Sequence, residues 1–314
     1  MILTVTLNPA LDKNYVVDNF ALTGIHRVQS MSTIPAGKGL NVSRVLKQLE
    51  VPTVATGILG GHTGKLIQAK LNEEQVDNDF VWIRAESRCS ILIVDQNKKA
   101  HTEVIEPGPS IPRGALARLS KKLEELAPTA SWVVFSGSPP PDTSHQVYFN
   151  LIKLAQQAGA KVVLDTRGPW LKAGIEAQPD VIKPNWDEFQ ELVGPCYSTV
   201  QALEKAKKIV ARGVNTVVVS MGSKGALAVH GEERYVIQSL PPIEVVSAVG
   251  CGDTLVAGLL ATWHAGGGFA EALRDGSALA TSNAAHFGAG IFDPQQVTAL
   301  KKMITVEKIP IGGP

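Results

Sequence analysis

The sequence predicts an α/β fold: a three-layer α/β/α domain with a mostly parallel central sheet and a small β-sheet lid. Three observations predict it. Short apolar, β-branched runs recur along the chain, each nearly continuously hydrophobic, as strands buried on both faces are. Stretches of helical spacing separate most of them, and that alternation builds a parallel sheet covered on both sides. Two polar-rich stretches, Lys13–Pro35 and Asp79–Ile105, break the alternation and contain no helix pattern.

The elements follow in order. The first strand spans Thr4–Leu7. In Gly39–Leu49, the residues Leu40, Val42, Val45, Leu46 and Leu49 share helical spacing. Thr53–Leu59 is a second buried strand, followed by a helix over Gly64–Asn72. Within the second irregular stretch, Arg88-Cys-Ser-Ile-Leu-Ile-Val-Asp95 alternates like a strand with one wet face. The irregular strands suit a small second sheet over one end of the domain; the alternative places them at the edges of the main sheet. A helix over Ile111–Leu126 leads to the strand Trp132–Ser136, and a helix over Ser144–Ala158 to the strand Lys161–Asp165. Val181–Lys183 and Thr216–Ser220 are further strands, with helices over Val200–Arg212 and Phe269–His286. There is no repeat or low-complexity linker, so residues 1–314 read as one domain, and the tail Ile309–Pro314 is expected to fray.

Composition narrows the function classes. Hydrophobic residues make up 44% and charged residues 19%, enough for a sizeable core. With 30 basic and 29 acidic residues the net charge is +1, which provides no long-range field for nucleic acid or an anionic membrane. An anionic ligand must be held by local groups. Cys89, Cys196 and Cys251 form no CxxC pair and no zinc spacing with the seven histidines. Free thiols suit a reducing compartment. The opening Met1-Ile-Leu-Thr-Val-Thr-Leu lacks the basic flank of a signal peptide, and no apolar run reaches the roughly 18 residues of a membrane span. The expected location is cytoplasmic.

Two glycine-rich turns carry the chemistry. Ser247-Ala-Val-Gly250-Cys251-Gly252-Asp253-Thr254 runs into an apolar helical stretch. Glycines let N–H groups converge, and a helix start adds positive dipole, so the backbone at Gly250, Cys251 and Gly252 forms an anion hole. Asp253 stands where a general base would stand; the competing reading is a plain helix cap. The second turn is Pro35-Ala36-Gly37-Lys38-Gly39-Leu40-Asn41, with Asn41 in the first turn of its helix. Its competing reading is a loop-to-helix junction with a solvated lysine.

Together these motifs resemble the ribokinase-like, or PfkB, family of carbohydrate kinases. The Gly-Lys-Gly-x-Asn turn is Gly37–Asn41 and the Gly-x-Gly-Asp turn is Gly250–Asp253. The opening Thr4-Val-Thr-Leu-Asn8-Pro9-Ala-Leu-Asp12 is similar to the branch that includes 1-phosphofructokinase and tagatose-6-phosphate kinase. The resemblance runs from about Ile2 to about residue 300. It implies ATP and Mg²⁺, a lid closing over the sugar, and a homodimer formed through the lids.

The resemblance also implies roles for single residues. Asp12 is the hydroxyl-binding acid, and Gly37, Lys38, Gly39 and Asn41 approach the sugar. Ser138 matches a serine of the sugar-phosphate pocket. Arg27 and Arg88 lie in the expected lid strands, where arginine grips phosphate bidentately; the competing reading is an exposed charge. Lys183 reaches a nucleotide phosphate, and Asn185 with Glu188 matches the Asn-x-x-Glu element that organises waters around Mg²⁺. Without the other motifs that element is a capped helix start. Ser220, Gly222 and Gly225 match the turn beside the nucleotide, which also reads as a tight hairpin turn. Asn283 matches an adenine-side asparagine. The sequence departs from the family at Cys251, where a smaller residue is usual, at Pro139 and Asp142, and at Arg167.

Gly60-Gly61-His-Thr-Gly64-Lys65-Leu66 imitates a Walker A loop but fails its spacing, and no Gly-x-Gly-x-x-Gly follows a strand. The leading function is ATP-dependent phosphorylation of a ketohexose monophosphate, fructose 1-phosphate first and tagatose 6-phosphate second. A kinase of an unphosphorylated sugar or nucleoside, and a sugar-phosphate sensor without turnover, are the alternatives.

Overall fold

In the computed structural model, which describes residues 1–98 and 100–310, the chain opens with β1 (Ile2–Thr6), buried along its whole length. It leaves the main sheet at once for β2 (Ala10–Val17) and β3 (Ser30–Ala36), then returns through α1 (Lys38–Gln48), β4 (Thr53–Gly60) and α2 (Gly61–Glu73). Short strands β5 (Asp77–Asn78) and β6 (Val81–Ile83) precede a second excursion, β7 (Arg88–Asp95) and β8 (Ala100–Ile105). Next come α3 (Arg113–Leu126), β9 (Trp132–Ser136), α4 (Val147–Gln157), β10 (Lys161–Asp165), α5 (Gly168–Ile175) and β11 (Val181–Ile182). The chain continues with α6 (Trp186–Val193), α7 (Thr199–Val210), β12 (Thr216–Ser220), β13 (Ala226–His230) and β14 (Glu233–Ile237). It closes with α8 (Cys251–His264), α9 (Phe269–Ala284), α10 (Pro294–Met303) and β15 (Glu307–Ile309).

The main sheet runs in the order β15-β14-β13-β12-β11-β10-β9-β1-β4-β5, with β6 also paired to β4. Pairs from β12 to β4 are parallel, and β12 to β15 are antiparallel. Period-2 alternation explains why the strands read as unbroken apolar runs. Leu3, Val5, Val133, Phe135, Val162, Leu164, Val217 and Val219 enter one core with α3, α4 and α7. Their neighbours Ile2, Trp132, Val134, Val163 and Val181 enter the opposite core with α1 and α8. Each fully buried side chain of this kind contributes about 1.5–3 kcal/mol relative to exposure. The three-layer α/β/α prediction therefore holds, and the parallel β-ends leave a crevice at one rim.

β3-β2-β7-β8 form a separate four-stranded sheet, so the main-sheet-edge alternative fails. The lid bounds differ from those read in the sequence. The lid starts at Ala10 rather than Lys13, and β6 within 79–105 belongs to the main sheet beside β4. Three residues are too few to show a lid or main-sheet pattern. Ile309 is not frayed, because β15 pairs with β14 through Arg234 and Ile309; residues 311–314 of the expected tail lie outside the described residues. Among the described residues no helix is long and apolar enough to cross a membrane.

Candidate active site

The two glycine turns start two helices that meet. A Cβ on Gly39 would stand 2.4 Å from Thr6 Oγ1, so only glycine lets α1 begin against the end of β1. That placement brings Asn41 to Asp253: Asn41 Nδ2 donates to Asp253 Oδ2 at 2.7 Å, across 212 residues of sequence. Gly250, the N-cap of α8, is left-handed with φ 80°, and a Cβ there would stand 2.6 Å from Ala289 Cα. Among the described residues, the N–H groups of Gly252 and Asp253 have no acceptor. They and the α8 dipole face the crevice, as an anion hole requires.

Asp253 is 4% exposed. Burial pushes its carboxyl up to about 7, and the Asp165 charge adds to the rise; Lys38, the Asn41 hydrogen bond and Lys183 oppose it. A carboxyl tuned near neutrality suits general-base work. Lys38 Nζ lies 3.0 Å from Asp165 Oδ1 and 4.0 Å from Glu188 Oε1. Burial disfavours the Lys38 ammonium, but Asp165, Asp253 and Glu188 outweigh it and hold its pKa above the usual range. Lys183 is 2% exposed, its Nζ 3.5 Å from Asp165 Oδ2 and 3.2 Å from where a Cβ of Gly252 would stand.

Asp165 was missed in the sequence reading. It ends β10, is fully buried, and joins both lysines. An acid closing an apolar strand was the available signal, since α/β sites form at carboxyl ends of strands. The same rim holds buried polar atoms without a partner in the described chain: Thr6 Oγ1, Asn8 Oδ1, Asn41 Oδ1, Ser136 Oγ, Asp165 Oδ2 and Thr166 Oγ1. Buried polar groups are normally paired with protein or with water, so this rim can take further hydrogen bonds.

The lid meets this rim. Asp12 is the third residue of β2, because the chain turns at Leu7–Pro9 and enters the lid. Burial raises its carboxyl to about 6, against Arg88; Glu103 adds to the rise and Arg44 opposes it. Arg88 opens β7 and donates from Nε to the Asn8 carbonyl at 3.1 Å and from Nη1 to the Glu106 carbonyl at 3.3 Å. Arg27 is not in a lid strand. It is exposed in the connection between β2 and β3, which lacks strand pairing there. Ser138 follows Gly137, whose Cβ position lies 3.8 Å from Lys38 Cβ, so this loop borders the lysine. Arg167 is exposed at the N-cap of α5.

On the other side, Asn185 caps α6 in a reciprocal capping box with Glu188: Asn185 Oδ1 accepts from Glu188 N, and Glu188 Oε2 accepts from Asn185 N, both at 2.9 Å. The capped-helix reading is thus realised, and Glu188 Oε1 still faces Lys38. Ser220 to Gly225 does form a hairpin turn, joining β12 to β13. Ser220, Gly222 and Gly225 also line a cavity of about 530 Å³ whose far wall is Cys251 and Gly252. Burial raises the Cys251 thiol, aided by the Asp253 charge, while the Asn283 hydrogen bond opposes. Asn283 is not on that cavity. It is fully buried, donating to the Val249 carbonyl at 2.9 Å and accepting from Gly290 N at 2.7 Å, so it clasps the Gly250 turn to the 288–291 loop. The Walker-like decoy is no phosphate cradle: the carboxylate of Glu86 takes the His62 and Thr63 N–H groups at 2.9 and 2.8 Å.

The fold recurs in solved structures. A protein of Thermotoga maritima described as a possible 1-phosphofructokinase is 28% identical, with 99% of this chain and 100% of that one covered and a TM-score of 0.88. Phosphofructokinase-2 of Escherichia coli, in complex with potassium, is 25% identical over 96% of this chain and 98% of that one, with a TM-score of 0.90. The tetrameric inhibited form of that enzyme is 26% identical over 96% and 98%, with a TM-score of 0.89. The family description "pfkB family carbohydrate kinase" matches residues 7–296. With two glycine turns converging on Asp253 inside a ribokinase-like fold, the chain belongs to the pfkB family of carbohydrate kinases and is a phosphotransferase with an alcohol group as acceptor.

Proposed function

We propose that this chain transfers the γ-phosphoryl group of ATP to a ketohexose monophosphate, with fructose 1-phosphate as the preferred acceptor and fructose 1,6-bisphosphate as the product. The observation that carries the reading is the buried Asp253, raised toward neutrality, at an N–H-lined helix start beside Lys38 and Lys183. Asp253 accepts the proton of the attacking hydroxyl as its oxygen bonds to phosphorus. The bond to the bridging oxygen breaks, and ADP leaves with the electron pair. Charge growing on the transferring group is met by the Gly252 and Asp253 N–H groups and the two ammoniums. The base and ribose of ATP fit the 530 Å³ cavity that ends at Gly252.

Asn185 and Glu188 fit a magnesium ion that keeps most of its water shell, because the capping box uses Glu188 Oε2 and leaves Oε1 open. Bound there, the ion would neutralise phosphate charge. Activity should fall as pH drops below about 7, because Asp253 must be deprotonated to accept a proton and its carboxyl is raised to about that value. The kcat/KM profile of wild type reads this limb; a flat profile from pH 5 to 8 would contradict it.

The acceptor's own phosphate calls for the lid arginine. Arg88→Ala is expected to raise KM for the phosphosugar and spare KM for ATP. Loss of a charge-assisted contact is worth roughly 1.5–3 kcal/mol, or about 10- to 100-fold. An equal loss on ATP would place Arg88 at the nucleotide instead. Arg27→Ala tests whether the 18–29 connection reaches the same phosphate: a matching rise in KM puts it there, and none leaves Arg88 alone.

The lid also favours a homodimer. Leu22, Ile25, Met31, Val104 and Ile105 are exposed apolar residues on it, and a second lid would cover them. Light scattering should give a dimer at micromolar concentration; a monomer with and without ligand would contradict this. The substrate is tested by kcat/KM on fructose 1-phosphate, fructose 6-phosphate and tagatose 6-phosphate at equal MgATP. Preference for either 6-phosphate would overturn the acceptor and leave the kinase mechanism standing.

A further inference from the structure

Asp165 is used by neither of the two glycine motifs, yet it is the most enclosed charge in the site. It is fully buried at the carboxyl end of β10. Its Oδ1 accepts from Lys38 Nζ at 3.0 Å, and its Oδ2 lies 3.5 Å from Lys183 Nζ without hydrogen-bond geometry. The lysines come from opposite sides of the crevice, one on the first turn of α1 and one just past β11. Long ammonium side chains do not hold a shared geometry unaided, because each loses rotamer freedom when fixed. Lys183 nonetheless reaches 3.2 Å from the Cβ position of Gly252, at the first free N–H of the anion hole. A carboxylate with one oxygen toward each lysine is what fixes them there.

We propose that Asp165 is a positioning residue for phosphoryl transfer, its two carboxylate oxygens gathering Lys38 and Lys183 at the mouth of the α8 anion hole. The inference rests on the reading of Asp253 as the base. It gives Asp165 a double action, geometric through the lysines and electrostatic on Asp253. The groups that face Asp253 are Lys38 and Asn41 from α1, Asp165 from β10 and Lys183 beyond β11. Of these charges only Asp165 opposes ionisation of the base. Removing it takes that opposition away but also releases Lys38, whose effect on Asp253 is the larger, so the Asp253 carboxyl should rise further.

Two substitutions test these actions in the full chain. Asp165→Asn removes the charge. Its kcat should fall about 10²-fold, as when one transition-state donor is lost. At the same time the acid limb of kcat/KM should move to higher pH, because the released ammoniums outweigh the lost like charge. Asp165→Glu keeps the charge and displaces the ammoniums, so kcat should fall and the limb should again move to higher pH. Binding of the unreactive ATP analogue AMP-PNP with magnesium confirms that each variant is folded. A merely structural role would lower stability without moving the limb. Wild-type kcat in either variant, or a limb in Asp165→Asn that is unmoved or lowered, overturns the proposal; should Asp165→Asn not fold, the kcat of Asp165→Glu decides. If wild type turns over none of the three ketohexose phosphates, the substrate reading has failed. The inference is then tested by ¹³C NMR of labelled aspartate, with Asp253 assigned from Asp253→Asn. Its carboxyl should titrate at higher pH in Asp165→Asn than in wild type, and an equal or lower midpoint would refute it.

Discussion

Asp253→Asn is expected to lower kcat by about 10²–10⁴-fold, the usual contribution of a positioned general base, with KM for both substrates nearly unchanged. The amide has nearly the shape of the carboxylate and can still meet Asn41, whose Nδ2 lies 2.7 Å from Oδ2. The loss should therefore be confined to the transition state, where the base acts. Steady-state kinetics with saturating MgATP measure it. Near wild-type turnover would remove Asp253 from the role of base and leave it as a first-turn acid favoured by the α8 dipole.

Gly250→Ala should be the most damaging change that touches no reacting side chain. Its left-handed φ of 80° costs an alanine roughly 1–2 kcal/mol. The added Cβ would also stand 2.5 Å from Ala289 Cβ and 2.6 Å from its Cα, so main chain must move. The movement cannot be absorbed locally, because Asn283 ties Val249 to Gly290. The N–H groups of Gly252 and Asp253 then lose their aim, and kcat should fall about 10²-fold or more, as for a lost oxyanion donor. The measurement is kcat together with a thermal melt. A stable variant with wild-type kcat would show that the geometry of this turn is not what stabilises the transferring group.

Much of the fold is legible in the sequence for one physical reason. Strands such as Trp132–Ser136 and Lys161–Asp165 are buried on both faces, so they stand out as short apolar runs and their bounds match the structure. The antiparallel edge is harder. β13 and β14 follow a glycine turn and sit at the end of the sheet, and β5, β6 and β11 are two or three residues long. Such segments carry too few side chains to show a period.

Within the site, legibility follows sequence distance. Gly37 to Asn41 and Gly250 to Asp253 are local motifs, and each puts its residues together by itself. Asp165 acquires its place only through Lys38, 127 residues away, and through Lys183. Nothing in the neighbourhood of Asp165 announces either partner. Asn283 matches an adenine-side asparagine by resemblance alone; in the structure its amide satisfies backbone groups of two glycine-rich loops.

The central claim is phosphoryl transfer to an already phosphorylated sugar, with Asp253 as base. ADP release from MgATP, measured with ketohexose monophosphates, with free sugars and nucleosides, and without acceptor, tests it most directly when Asp253→Asn runs in parallel. The account predicts acceptor-dependent ADP release with a ketohexose monophosphate, little with free sugars or nucleosides, and a collapse of that release in Asp253→Asn. Release with a free sugar or nucleoside that equals or exceeds release with every phosphosugar, or release that survives Asp253→Asn, would contradict it.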